Sequence, residues 1–297
     1  MLSKILNNLL RPNYAIGYFL GNSFPNYFRN RYVTKTKKFG INKKYFIMSF
    51  DCDTDKDIEV VREVDSKLRK LGISATYAVP GELLKRGKDE YTSIKHLGSE
   101  FINHGYLSHT EFDEKNKNYV STLFYDRLPR EKVRDDVFNG HYNFIDIFGE
   151  EPIGFRTPHF GTFQKTSELN FLYSILKEKN YIYSSSTTPV SGMWHGAVIN
   201  TESGILEIPV SGSYDFPARI LDSWSYRFSP TRKLNEKDYF NQFTKMVSFM
   251  NDSSSSGILN IYADPSQVYD WQLFFDCMEI ASSLENTSFQ NLVKNYE

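Results

Sequence analysis

A chain of 297 residues that is 40% hydrophobic and 24% charged, with 24 Phe and 20 Tyr, is long enough to bury the core of one large domain or two small ones. Its net charge of −1 and the lack of a long basic run argue against a nucleic-acid partner held by phosphate contacts. Cys52 and Cys277 can form at most one bridge, so no disulfide framework is implied; no run of about 18 apolar residues exists, so no membrane span is expected.

The opening stretch, MLSKILNNLLRPNYAIGYFLG, has its apolar residues interrupted by Asn7, Asn8, Arg11, Pro12 and Asn13, and no small-residue cleavage site follows. A cytoplasmic protein is therefore expected, with peripheral membrane contact through the first helix left open. Residues 1–40 lack the repeat found further on and read as an N-terminal extension. The stretch RYVTKTKKFGINKK reads first as a solvated linker face and second as a contact to an anionic surface.

From residue 41 onward, strand-like runs recur and helical patterns follow them. Residues 45–50 (YFIMSF) read as a buried strand, and Asp51, Asp53 and Asp55 follow at every second position. Asp57 is placed as the N-cap of a helix over about 58–71, closed by Gly72. ISATYAVPG is a second strand, YTSIKHLG is helical, and EFIN is a third strand. Residues 130–149 carry Val133, Val137, Phe138, Phe144, Ile145 and Phe148 at helical spacing. IGF, YIYSSS, ILEIPV and GILNIY supply further strands; TSELNFLYSILKEKN, EKDYFNQFTKMVSFM and VYDWQLFFDCMEIASSL read as helices. This alternation predicts an α/β protein, an irregular (β/α) barrel of about seven parallel strands with outer helices. Neither a G-x-G-x-x-G after the first strand nor a P-loop occurs, which removes the main support for a dinucleotide or nucleoside triphosphate site.

In parallel α/β folds the chemistry sits at the carboxyl ends of the strands. That rule selects Asp51, Asp53 and Asp55 after the first strand, and His104 and His109 after EFIN. It also selects Arg156, Pro158 and His159 after IGF, and Asp264 after GILNIY. Two histidines and a carboxylate make a common metal set that leaves positions open for water and substrate. A second carboxylate off the metal can then act as general base. Each residue also has a plainer reading: a capping loop for the aspartates, loop histidines bonded to backbone, a surface ion pair for Arg156, a packing residue for His159.

The order and approximate spacing of SFDCDTD, ISATYAVPG, GSEFINHGYLSH and GFRTPHFG resemble the polysaccharide deacetylase family, whose catalytic unit is the NodB homology domain. The resemblance covers nearly all of residues 41–297 and makes them one catalytic domain. It implies a divalent metal, usually zinc (Zn2+), held by Asp53, His104 and His109. It implies Asp51 as general base, Arg156 as the partner that orients it, and Pro158 and His159 as groove residues that bind substrate. The implied reaction is hydrolysis of an N-acetyl or N-formyl group from an amino sugar.

Two features depart from the family pattern. The two histidines are five residues apart, where four is usual, a shift that a loop containing Gly105 can absorb. The family places a histidine, its general acid, in a late Leu-His-Pro-like motif; here that position is Asp264, in NIYADPSQ. The acid role then falls to Asp264 with a raised pKa, or to His159 or His195, although His195 in MWHG reads better as a loop histidine. With a cytoplasmic location, the expected partner is an N-acylated sugar or glycan precursor, with no nucleic acid and no membrane span. The competing readings are a non-catalytic glycan-binding module, with Trp194 and Trp224 stacking on sugars, and a metal-dependent amidase for a non-sugar amide.

Overall fold

The computed structural model describes residues 11–252 and 254–296, so the expectation for residues 1–10 lies outside the described residues. Two helices come first, α1 (Pro12–Ser23) and α2 (Pro25–Lys38). Then follow β1 (Lys44–Asp51), α3 (Asp55–Lys70), β2 (Thr76–Val79), α4 (Gly81–Arg86), α5 (Lys88–His96) and β3 (Glu100–Asn103). A hairpin of β4 (Thr110–Asp113) and β5 (Asn118–Ser121) leads to α6 (Arg130–Phe148), β6 (Gly154–Phe155), α7 (Thr166–Glu178) and β7 (Tyr183–Ser184). Next are α8 (Pro189–His195), β8 (Ile199–Asn200), β9 (Leu206–Glu207), α9 (Ser223–Arg227) and α10 (Glu236–Asn251). The chain closes with β10 (Gly257–Ala263), α11 (Pro265–Val268), α12 (Gln272–Ala281), β11 (Glu285–Asn286) and α13 (Phe289–Val293).

Strands β10, β1, β2, β3, β6, β7 and β9 are neighbours in that order and all parallel, which is the (β/α) barrel expected from the repeat. The ladder does not run unbroken around the ring. Between β9 and β10 the join is made by the chain just after β9: the Ser211 N–H donates to the Asn260 carbonyl at 2.8 Å. The Asn260 side-chain amide donates to the carbonyls of Ile208 and Pro209 at 3.3 and 3.1 Å.

Residue parity along the strands decides what faces where. In β1 the even residues Phe46, Met48 and Phe50 pack outward with Val61, Val64 and Leu68 of α3 and with Leu259 and Ile261 of β10. The odd residues Tyr45 and Ile47 share a second cluster with Ala78, Ile102, Tyr183, Ile258, Phe289 and Leu292, which fills the closed end of the barrel. Continuing the odd series upward gives Ser49 and then Asp51 at the open end. The register Phe50↔Ala263 sets Asp51 beside Asp264. The closed end is fixed by Glu100, which accepts from Thr76 Oγ1, Tyr183 Oη and the N–H groups of Phe289 and Gln290 at 2.6–2.9 Å. A half-buried carboxylate is tolerable there because it meets four donors and the amino end of α13.

Two local expectations are corrected. Helix α3 begins one turn earlier than placed: Thr54 is its N-cap and Asp57 is the third helical residue. Asp57 Oδ2 accepts from the Thr54 N–H and hydroxyl at 2.8 Å each, while Oδ1 accepts from the Ser266 N–H at 2.8 Å. Its carboxylate thus ties α3 to α11. The helix expected from VYDWQLFFDCMEIASSL starts four residues later, as α12 at Gln272, after a turn at 269–271 in which the Trp271 ring is buried in the core.

Burial pushes the Asp57 carboxyl up to about 6, against the opposing pull of the Ser266 and Thr54 donors. The native state therefore holds this proton more tightly than the unfolded chain, whose aspartate titrates near 3.8. The stability this group contributes is complete below about pH 4 and is lost as pH rises through about 6. The stability of the wild type relative to Asp57→Asn is expected to decline across that window in urea titrations of metal-free protein. A difference constant with pH contradicts this assignment.

Candidate active site and metal centre

Arg156 extends from the end of β6 into the barrel interior and is fully buried. Its Nη1 donates to Asp51 Oδ1 at 2.6 Å, Nη2 to Ser49 Oγ at 2.9 Å, and Nε to the Ser185 carbonyl at 3.2 Å. The inward, odd-numbered face of β1 thus provides two of the partners of one buried guanidinium. Asp51 Oδ1 is occupied by this pair; Oδ2 lies 3.9 Å from His104 Nε2.

His104 follows directly on β3 and His109 lies at the foot of the β4–β5 hairpin. His104 Nδ1 donates to the Arg156 carbonyl at 2.8 Å, since a carbonyl can only accept, which leaves Nε2 with a free lone pair. That Nε2 is buried, has no hydrogen-bond partner, and lies 3.4 Å from Asp53 Oδ1. His109 Nε2 lies 2.8 Å from the same oxygen. One ligand atom from each of Asp53, His104 and His109 falls within 4.8 Å of the others. An orphaned imidazole nitrogen beside a carboxylate and a second imidazole is a donor set that fits a divalent metal ion, with the backbone carbonyl fixing the first ring's tautomer. Burial works against ionisation of Asp53, but His109 and His104 outweigh it and hold its carboxyl well below the usual range.

The five-residue spacing is absorbed in the loop. Gly105 has φ of +80°, and a Cβ there would stand 2.3 Å from Asp136 Oδ2 and 2.6 Å from Tyr125 Oη. Asp136, on the buried face of α6, accepts from the N–H groups of Tyr106 and Leu107 at 3.2 and 2.8 Å and from Tyr125 Oη at 2.5 Å. The loop is thus folded around one carboxylate. Gly105→Ala combines a left-handed backbone with a clash and is expected to cost about 2–4 kcal/mol of stability. Zinc affinity should fall about 10–100-fold with it. Chemical denaturation and zinc titration of the variant check both; unchanged affinity would mean that the loop does not set the histidines.

By sequence, no family model and no curated protein matches the chain. By structure it resembles a protein assigned as a polysaccharide deacetylase from Mycobacterium smegmatis, with a TM-score of 0.63 at 15% identity over 85% of this chain and 90% of that one. Another assigned so, from Pseudomonas aeruginosa PAO1, gives 0.65 at 9% identity over 86% and 91%. The fold is that of the polysaccharide deacetylases. Puue allantoinase shares it, at 0.63 and 10% identity over 86% and 90%.

In this polysaccharide deacetylase fold, Asp51 and Asp53 lie in the wall of an open cavity of about 300 Å³. Its other walls include Tyr119 and Ser121 of the hairpin, Phe124, His159, Phe160, Trp224 and Asp264. His159 stands with φ of +56°, its ring 5.1 Å from that of His109 and 5.0 Å from Phe124. Burial and the neighbouring His109 push it down to about 4, so it is a neutral ring at neutral pH. Pro158 is buried and does not line the cavity; Phe160 beside it does. Asp55 points away, to an exposed ion pair with Arg86. His195 ends α8 near Lys35 and Arg31, outside the cavity lining, and Trp194 donates its indole N–H to the Asn13 carbonyl of α1. Of the two tryptophans proposed for sugar stacking, Trp224 alone lines the cavity.

Asp264 is placed by a closed hydrogen-bond cycle that the sequence reading missed. Its N–H donates to Ser223 Oγ at 3.2 Å, Ser223 Oγ donates to Gln267 Oε1 at 2.8 Å, and Gln267 Nε2 donates to Asp264 Oδ2. The Asp264 carboxylate therefore receives the Gln267 side chain and does not cap the backbone of α11. Burial, then the charges of Asp53, Asp57, Asp51 and Asp222, raise its carboxyl well above the usual range. With Oδ2 accepting from the amide, a proton on this group resides on Oδ1.

Proposed function

We propose that the chain is a metal-dependent hydrolase that removes an N-acetyl or N-formyl group from an amino sugar of an intracellular glycan precursor. The observation that carries this is the convergence of Asp53, His104 and His109 beside the buried Asp51–Arg156 pair, at the wall of an open cavity with both acidic and aromatic lining. Asp53, His104 and His109 would hold the ion, and two imidazoles with one carboxylate favour zinc. Zinc there supplies Lewis acidity toward water and toward the scissile carbonyl. Asp51 takes the proton of the attacking water on Oδ2, because Arg156 engages Oδ1 and fixes the carboxylate plane. Asp264 gives its proton to the departing amine. His159, Phe124, Phe160 and Trp224 flank the sugar, whose apolar face suits aromatic walls.

The deciding experiment is release of acetate or formate from N-acylated amino sugars and their nucleotide- or lipid-linked forms, with zinc, cobalt or nickel added. No release from any of these, by protein shown to bind zinc, removes the sugar reading. A second reading is favoured by the similarity to Puue allantoinase, a protein named for acting on a cyclic ureide: hydrolysis of a non-sugar ring amide. Ring opening of ureides and cyclic imides, assayed in parallel, separates the two.

A further inference from the structure

We propose that helices α1 and α2 form a docking face for an anionic lipid bilayer. Helix α1 is held by its small residues: a Cβ on Gly17 would meet Val190 of α8, and one on Gly21 would meet Ala218. Among the described residues nothing packs on its opposite face. Ile16 and Phe19 are 50% and 60% exposed, and Phe24 and Tyr27, where α2 begins, are 55% and 50% exposed. The Phe19 and Phe24 rings touch, with centroids 6.2 Å apart, so the patch continues across the helix junction. Phe216, 40% exposed, belongs to the segment that packs against Gly21, and Arg219 covers its ring.

Charge selects the partner. The first 50 residues contain nine Lys and Arg and no Asp or Glu, whereas the other 247 hold 26 basic and 36 acidic residues. A second copy docked on this face would set positive charge against positive charge. An aromatic and aliphatic patch on the same helical face as Arg31, Lys35 and Lys38 matches the interfacial region of a bilayer with acidic headgroups. No helix among the described residues is long and apolar enough to cross a membrane, so contact at the surface is the mode that fits. The Arg11 guanidinium at the start of α1 donates to the Gly161 carbonyl at 3.1 Å, in the loop that carries the cavity residues Phe160 and Thr162.

The test is co-sedimentation of the full chain with phosphatidylglycerol-containing vesicles and with pure phosphatidylcholine vesicles. Binding to the anionic vesicles only, weakened by salt, is expected. Phe19→Ser with Phe24→Ser should lower it at least about tenfold, and Lys38→Gln about fivefold. Leu97→Ser, an exposed apolar residue on another face, should change nothing. All these sites are exposed, and circular dichroism checks that each variant is folded. Equal binding to both vesicle types, or none to either, overturns the proposal. So does sedimentation equilibrium showing a dimer that the Phe19/Phe24 variant abolishes. The readout needs no turnover, so it stands or falls separately from the hydrolase reading.

Discussion

Asp51→Asn is expected to lower turnover by about 10²–10⁴-fold, the range for loss of a general base, while zinc affinity stays near that of the wild type. Asparagine keeps the shape and can still accept from Arg156 Nη1 through its carbonyl oxygen. What it lacks is a group able to take the proton from water. Asp51→Ala is a different experiment. It leaves the Arg156 guanidinium buried without a counter-charge, which costs about 3–5 kcal/mol for a fully buried pair. The isosteric change therefore tests chemistry and the truncation tests folding. Steady-state rates with zinc saturating, alongside a zinc titration, distinguish them; Asp51→Asn with wild-type turnover rejects the mechanism.

Asp264→Asn should cost a comparable factor, about 10²–10⁴-fold, but selectively. An amine leaving group needs a proton, whereas an activated aryl ester does not. The variant is expected to fail on N-acetyl substrates and to retain its rate on an aryl acetate, on which Asp51→Asn fails. The wild-type rate on amides should fall as pH rises through the raised pKa of Asp264, and the variant should lack that limb. A divalent ion held by Asp53 would add a positive charge and move the limb to lower pH than in metal-free protein. Loss of aryl acetate hydrolysis in Asp264→Asn would mean that the residue supports the site as a whole and does not donate the proton.

The parts of this molecule that were readable in the sequence are those governed by period and strand ends. Parity in YFIMSFD puts Asp51 on the inward face, and the β-then-α alternation places His104, Arg156 and Asp264 on the same rim. The hairpin 110–121 was missed because its strands are four residues each, mostly polar and half exposed, so no apolar run announces them. Yet it supplies Tyr119 and Ser121 to the cavity. Asp136 left a signal that went unread: it falls on the buried stripe of α6 with Val133, Val137 and Gly140, and a carboxylate there needs local donors. Ser223 and Gln267 left none, because their pairing joins residues 44 apart through a turn that only the folded barrel creates. The cap of α3 was misplaced because Thr54 and Asp57 are both good capping types, and their reciprocal bonds make the earlier one the cap.

The join between the chain after β9 and β10 gives the barrel one stave boundary with few backbone bonds. Amide protons there, Ser211 and Asn260 among them, should exchange with deuterium faster than those of β1, which is paired along its length on one side by β10 and over its last residues by β2 on the other. Opening at this boundary would move the run from Ser211 to Ser225, which carries Ile220, Asp222 and Trp224 into the cavity wall. The staves bearing Asp51, His104 and Arg156 lie elsewhere on the ring and keep their mutual distances. The same run carries Ser223, which holds Asp264 through its N–H and through Gln267, so opening on this side would widen the cavity at Trp224 and loosen Asp264 together, while Asp51, His104 and Arg156 stay as one unit.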